Sequence, residues 1–183
     1  MLPDSAGPVL TGLARSAIGR KLGLPVASPA EPEWLREPGA SFVTLTHDAG
    51  LRGCIGSLEA WRELGQDVSS NAVSAAFADP RFPALAVGEY SEIAVEVSVL
   101  TAPESIAFAS RDDLIGQLRP DVDGVTISAR GRRGTFLPQV WEELPDPAVF
   151  LSHLLRKAGL PSGYWGPDVR VERYRVTAFH EAP

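Results

Sequence analysis

The chain holds a single cysteine in 183 residues. Cys54 has no partner for an intrachain disulfide and cannot belong to a cysteine-based zinc cluster. Histidine is nearly as scarce: His47, His153 and His180 lie far apart and form no local metal motif, so no metal site is expected. Lysine occurs only at Lys21 and Lys157, which leaves the basic charge almost wholly to arginine, a planar group suited to bidentate recognition of anions. The net charge of −6 argues against a general nucleic-acid face without excluding a local patch. No segment approaches the ~20 apolar residues that span a bilayer. The first residues also lack a basic start followed by a long apolar run, so neither a membrane span nor a signal peptide is expected, and a soluble cytoplasmic protein is the default.

What is present is enough apolar content, 44%, for a well-filled core in one domain, or in one domain with a lobe. Ser5 is placed to cap a helix running to about Leu22, with Val9, Leu10, Leu13, Ala17 and Ile18 inward and Gly23 and Pro25 as its stop. A proline-rich connection follows, with Trp34 and Leu35 as packing residues. Strands are expected at about 41–47 and 51–57, a helix at 63–77 and a strand at 93–100. A short helix should start at Ser110 or Asp112 and end at Leu118. A turn and strand come next, then a basic loop, "RGRRG". Asp146-Pro147 starts a helix that runs to Ala158 and stops at Gly159, and one last strand covers about 169–179. Hairpin signals without regular βαβ alternation indicate an α+β fold with a mainly antiparallel sheet and flanking helices.

The first hairpin allows a register to be argued. A three-residue loop, Asp48-Ala49-Gly50, would place glycine where a left-handed conformation is needed. Leu51 would then face His47, Gly53 face Leu45, Cys54 face Thr44, and Ile55 face Val43. Alternation puts Val43, Leu45, Leu51 and Ile55 on a core face. Arg52, Cys54 and Gly56 fall on the other, with Phe42, Thr44 and Thr46.

Cys54 can be read in two ways. A lone cysteine is ordinarily a small buried hydrophobe. Arg52, two residues away on a strand, shares its face and would stabilise a thiolate. Gly53 and Gly56 strip side chains from around the thiol, although Gly56 also makes room for Phe42. The register puts His47 on the opposite face, which leaves a Cys-His pair without support. "DPRFP", Asp79 to Pro83, is a helix-ending turn with Phe82 as an anchor, or else holds Asp79 and Arg81 at a cleft rim. "RGRRG" lacks the spacing of a nucleotide-binding loop.

The motifs "FVTL", "LRGCIG", "DPRFP", "VSVL", "LPQV" and "KAGL" stand in the order and approximate spacing of the AMMECR domain, which the chain resembles from about Phe42 to Leu160. Bacterial and archaeal members are called AmmeMemoRadiSam system protein A. The resemblance implies two lobes with a cleft between them. The larger would be built from both chain ends around an antiparallel sheet, and the smaller would be inserted. It implies a cytoplasmic protein accompanied by a Memo-type protein and a radical S-adenosylmethionine enzyme. It carries no particular reaction and no known cofactor. The motif residues it transfers are Arg52, Gly53, Cys54 and Gly56, then Asp79, Arg81 and Phe82, then Gln139.

Two functions stay open on these grounds. The chain is an enzyme or substrate-handling subunit, with Cys54 as nucleophile or ligand to substrate, Arg52 stabilising charge and Asp79 supplying acid–base chemistry. Alternatively it is a noncatalytic module whose cleft holds a small molecule or a partner's peptide, with Cys54 only lining the wall; Gly53, Gly56, Arg81, Phe82 and Gln139 are the binding candidates in either reading. A nucleic-acid role is the weakest reading for an acidic chain.

Overall fold

The computed structural model describes every residue except Met1, Ser28 and Pro183; Ser28, in the proline-rich connection, lies outside the described residues. Along the chain run α1 (Ala6–Lys21), β1 (Ala40–His47), β2 (Gly50–Gly56), α2 (Leu64–Phe77), β3 (Ala94–Leu100), β4 (Glu104–Ser105), α3 (Arg111–Gln117), β5 (Gly124–Ala129) and β6 (Arg132–Phe136). The series ends with α4 (Val140–Glu143), α5 (Pro147–Lys157), β7 (Arg170–Tyr174) and β8 (Val176–His180). The mixture of helices and antiparallel sheets makes the fold α+β. Two compact units divide the chain, one taking the residues up to Leu100 and those from Thr177 on, the other Thr101–Val176. No helix among the described residues is long and apolar enough to cross a membrane.

In the first unit a four-stranded sheet has the order β2-β1-β3-β8. Helix α1 buries Leu10, Leu13, Ala14, Ala17 and Ile18, spaced three and four apart on one stripe. Gly23, at φ 75°, closes that helix, its N–H donating to the Arg20 carbonyl. Ser5 makes no side-chain cap bond, so the N-terminus is set by packing of Ala6 and Leu10 instead. Leu10, Ile18, Val43, Leu45, Val68 and Val97 are fully buried together, each such aliphatic contributing roughly 1.5–3 kcal/mol on transfer from water.

The second unit has its own sheet, β4-β7-β5-β6. Trp141 stacks on Phe150 with ring centroids 3.6 Å apart, and its indole N–H donates to the Asp123 carbonyl at 2.7 Å. The Asp146 carboxylate accepts the N–H groups of Ala148 and Val149 at 2.8 and 3.0 Å, the cap that its position before Pro147 predicts.

Three local expectations change. The single last strand is two: β7 pairs in the second unit's sheet and β8 in the first's, with Arg175 between them. "RGRRG" is an exposed turn between strands, as expected, but a shorter one: Arg130-Gly131, with positive φ at both residues, makes the turn and the next three residues begin β6. The first hairpin also turns on two residues. Asp48 and Ala49 adopt φ 49° and 60°, while Gly50 pairs with His47. Two left-handed residues match the twist of the flanking strands, which a three-residue count overlooks.

Candidate functional site

The shorter turn shifts the register at the start of β2. Leu51 pairs with Thr46 and Gly53 with Leu45, so Arg52 opposes no residue and forms a β-bulge. Leu51, expected in the core, is 45% exposed at the sheet's end. Arg52 is buried, and its guanidinium meets Glu89 in a bidentate pair, Nε to Oε1 at 2.7 Å and Nη2 to Oε2 at 3.1 Å. That pairing, with the Ala86 N–H, lowers the Glu89 carboxyl to about 2 and raises Arg52. The third nitrogen, Nη1, is buried without a hydrogen bond among the described residues. Glu89 was not foreseen, because nothing local marks it in the sequence.

Beyond the bulge the expected register holds, Cys54 opposite Thr44 and Ile55 opposite Val43. The backbone of Cys54 is gripped by the "DPRFP" turn. Its N–H donates to Asp79 Oδ2 at 2.9 Å, and its carbonyl accepts Arg81 Nη2 at 3.3 Å. Arg81 in turn donates to Asp79 three times: from its backbone N–H, from Nε at 2.9 Å and from Nη2 at 2.6 Å. Asp79 is buried by the turn that follows α2, and these donors, Arg81 foremost, hold its carboxyl far below the ordinary range. A carboxylate so fully hydrogen-bonded positions its neighbours and has no proton to exchange near neutrality. Phe82 lies beneath two guanidiniums, 6.0 Å from Arg52 and 5.5 Å from Arg81.

The thiol is half-buried, and Thr44 Oγ1–H donates to its sulfur at 3.4 Å. On the same face Thr44 lies opposite Glu96 of β3, and Glu96 meets His180 Nδ1 at 3.2 Å. Cys54, Thr44, Glu96 and His180 thus form a polar row across the sheet. His47 is engaged elsewhere, by Glu92 at 2.9 Å, which raises its pKa.

The two motif glycines have steric duties. A Cβ on Gly53 would stand 2.1 Å from the Ala75 carbonyl oxygen of α2, and one on Gly56 would stand 2.2 Å from the Phe42 ring. Gly53 therefore faces the helix, and Cys54 the opposite side. Gln139 belongs to the second unit, exposed just before α4, where its carbonyl accepts the Glu142 N–H. The first unit thus brings together Arg52, Gly53, Cys54, Gly56, Asp79, Arg81 and Phe82. No group of three or more potential metal ligands gathers among the described residues.

A second polar cluster escaped the sequence reading. Buried Asp67 accepts the Ser41 N–H and Oγ, the Ser57 Oγ, Arg62 Nε and Asn71 Nδ2. It ties α2 to β1 and to the loop after β2. Its signal was available: Asp67 and Asn71, four apart, flank the apolar stripe of α2 and are buried with it.

The family model AMMECR1 matches residues 11–179. A protein of Methanothermobacter thermautotrophicus is 39% identical over 188 residues, covering 98% of this chain and 96% of its own. One from Methanocaldococcus jannaschii is 38% identical, covering 99% and 92%. The crystal structure of an uncharacterized protein from Pyrococcus horikoshii superposes with a TM-score of 0.81 at 34% identity, covering 98% and 93%. The site and fold are thus those of an α+β protein whose hairpin cysteine is clamped by a following Asp-Pro-Arg-Phe-Pro turn. The chain belongs to the AMMECR1 family.

Proposed function

We propose that this chain is a substrate- or partner-handling subunit that works in the cytoplasm with a Memo-type protein and a radical S-adenosylmethionine enzyme, and that the Cys54 face of its first sheet is the binding surface. The observation that carries this reading is the clamp. One turn fixes both polar backbone groups of Cys54, while Arg81 is spent on Asp79 and Arg52 on Glu89. A nucleophilic thiol needs a base, and among the described residues the side chain hydrogen-bonded to this sulfur is a threonine hydroxyl. A rigidly held thiol with its neighbouring charges internally paired suits recognition of a small molecule or a partner's peptide.

A second reading, Cys54 as a nucleophile, draws on the Thr44 hydroxyl donating to the sulfur and on the positive charge of nearby Arg81. One experiment separates the two. The purified chain is mixed with the Memo-type protein and the radical enzyme of its own organism, and co-migration is followed by analytical ultracentrifugation. The binding reading expects association that survives Cys54→Ser and is lost in Cys54→Phe or after maleimide capping. Association indifferent to Cys54→Phe and to capping, or none at all, overturns it. A reaction of the assembled proteins abolished by Cys54→Ser, with assembly intact, establishes the nucleophile instead.

A further inference from the structure

Far from Cys54 in the chain, the second unit carries a cavity of about 210 Å³ lined by Thr101, Glu104, Arg119, Arg173, Tyr174 and Arg175. Three of these six are arginines, in a chain whose net charge is negative. They come from two places: Arg119 from the segment after α3, and Arg173 and Arg175 from the end of β7 and the single residue that joins it to β8. In the extended stretch Arg173-Tyr174-Arg175, alternation turns Tyr174 inward, where it is buried, and leaves the two arginines on the other side.

Their hydrogen bonding leaves capacity for a ligand. Arg119 is anchored by buried Asp123, which takes its backbone N–H, Nε and Nη2, so the guanidinium is oriented while Nη1 makes no hydrogen bond among the described residues. Arg173 Nε is buried and has no hydrogen-bond partner among the described residues; Glu104 Oε2 is 3.7 Å away, beyond bonding distance, on a side chain 75% exposed. The Arg175 side chain has no ion pair among the described residues, although its backbone is fixed by Thr101, whose Oγ1 accepts its N–H and whose N–H donates to its carbonyl, both at 2.9 Å.

We infer that this cavity is a binding site for a small molecule bearing a phosphoryl group. Three guanidiniums, two from one extended stretch and the third from the segment after α3, suit a tetrahedral dianion with three acceptor oxygens, whereas a planar carboxylate occupies one fork at a time. The volume takes a phosphomonoester of modest size. Glu104, loosely placed and largely exposed, moves aside when the anion enters.

The test uses the full chain with inorganic phosphate and methyl phosphate as probes, against sodium chloride at matched ionic strength and against succinate. Isothermal titration calorimetry and the thermal midpoint provide the readouts. Saturable binding of methyl phosphate is expected. Arg175→Gln, at an exposed position, should weaken it about tenfold, the loss expected for one charge-assisted hydrogen bond. Arg173→Gln should do the same, and Glu104→Gln should tighten binding by removing the competing carboxylate. The inference is overturned if phosphate acts no differently from chloride, if Arg173→Gln and Arg175→Gln bind as the parent does, or if succinate binds as well as methyl phosphate.

Discussion

Asp79 and Cys54 are joined through the backbone: the carboxylate of one accepts the N–H of the other at 2.9 Å. The two most distinctive motifs of the chain are therefore one structural object. The reactive-looking atom and the acidic side chain never meet directly; the acid holds the strand, and the strand presents the thiol.

That bond has a pH signature. Asp79 and Glu89 both have carboxyls lowered in the folded state, by Arg81 with the Cys54 N–H and by Arg52 with the Ala86 N–H respectively. A depressed folded pKa contributes stability that is present above the unfolded value, roughly 4, and is lost as pH falls through the folded one. The thermal midpoint should fall steeply on acidification below about pH 4. Asp79→Asn and Glu89→Gln should each lower the midpoint at pH 7 and flatten that acid limb. Unchanged acid limbs in melts from pH 2 to 7 would rule out the ion pairs as their source.

Gly53 and Gly56 predict unlike kinds of damage. Gly53→Ala drives a methyl into the Ala75 carbonyl oxygen, an obstacle made of backbone, while Gly56→Ala meets the Phe42 ring. Each should cost about 1–3 kcal/mol or more in urea unfolding. Adding Phe42→Leu should recover part of the Gly56→Ala loss and none of the Gly53→Ala loss. Gly50→Ala, whose nearest contact is 3.4 Å, serves as the mild control.

Removal of Asp67 should be among the most damaging substitutions in the first unit. Asp67→Ala strands the buried Ser41 N–H, and leaves Arg62 and Asn71 without their shared acceptor. About 3–5 kcal/mol is expected for breaking a buried charged network. Asn71→Ala, which removes one donor and leaves Asp67 its others, should cost less. Chemical denaturation of the two variants checks the order.

The hairpin turn offers a gain. Asp48 and Ala49 carry positive φ without the freedom of glycine, at roughly 1–2 kcal/mol per left-handed residue. Replacing the pair by Asn-Gly, the preferred sequence for such a turn, should raise the thermal midpoint by a few degrees. A lower midpoint would mean that the Asp48 side chain contributes more than the turn strain removes.

Much of this was legible in the residues. Apolar spacing located α1, α2 and β3, and Asp146-Pro147 located α5, because short-range periodicity and capping act locally. The pairing of Cys54 with Thr44 was counted out from a three-residue turn, and it holds although the turn has two residues. The error at Leu51 came from one residue of turn length, which the bulge at Arg52 absorbs before the motif proper. Asp79 read as an acid–base candidate because its side-chain identity is visible while its hydrogen-bond saturation is not. Glu89 and Asp67 depend on contacts between segments far apart in sequence. The division of the last strand at Arg175 was equally hidden, since both halves have the same extended character.

That division bears on how the chain is made. Three strands of the first sheet are synthesised by Leu100, but the fourth, β8, emerges only after the whole of the second unit. Until then the β3 edge has no β8 to pair with, and an open edge is a template for wrong pairing. The second unit, with its own core, can fold in the interval. Completing the first sheet then requires closing a long loop already shortened by that folded insert, whose ends are held together by Thr101 and Arg175. A chain truncated before Val176 should therefore aggregate during synthesis, and the paired bonds between Thr101 and Arg175 should set how fast the final strand finds its place.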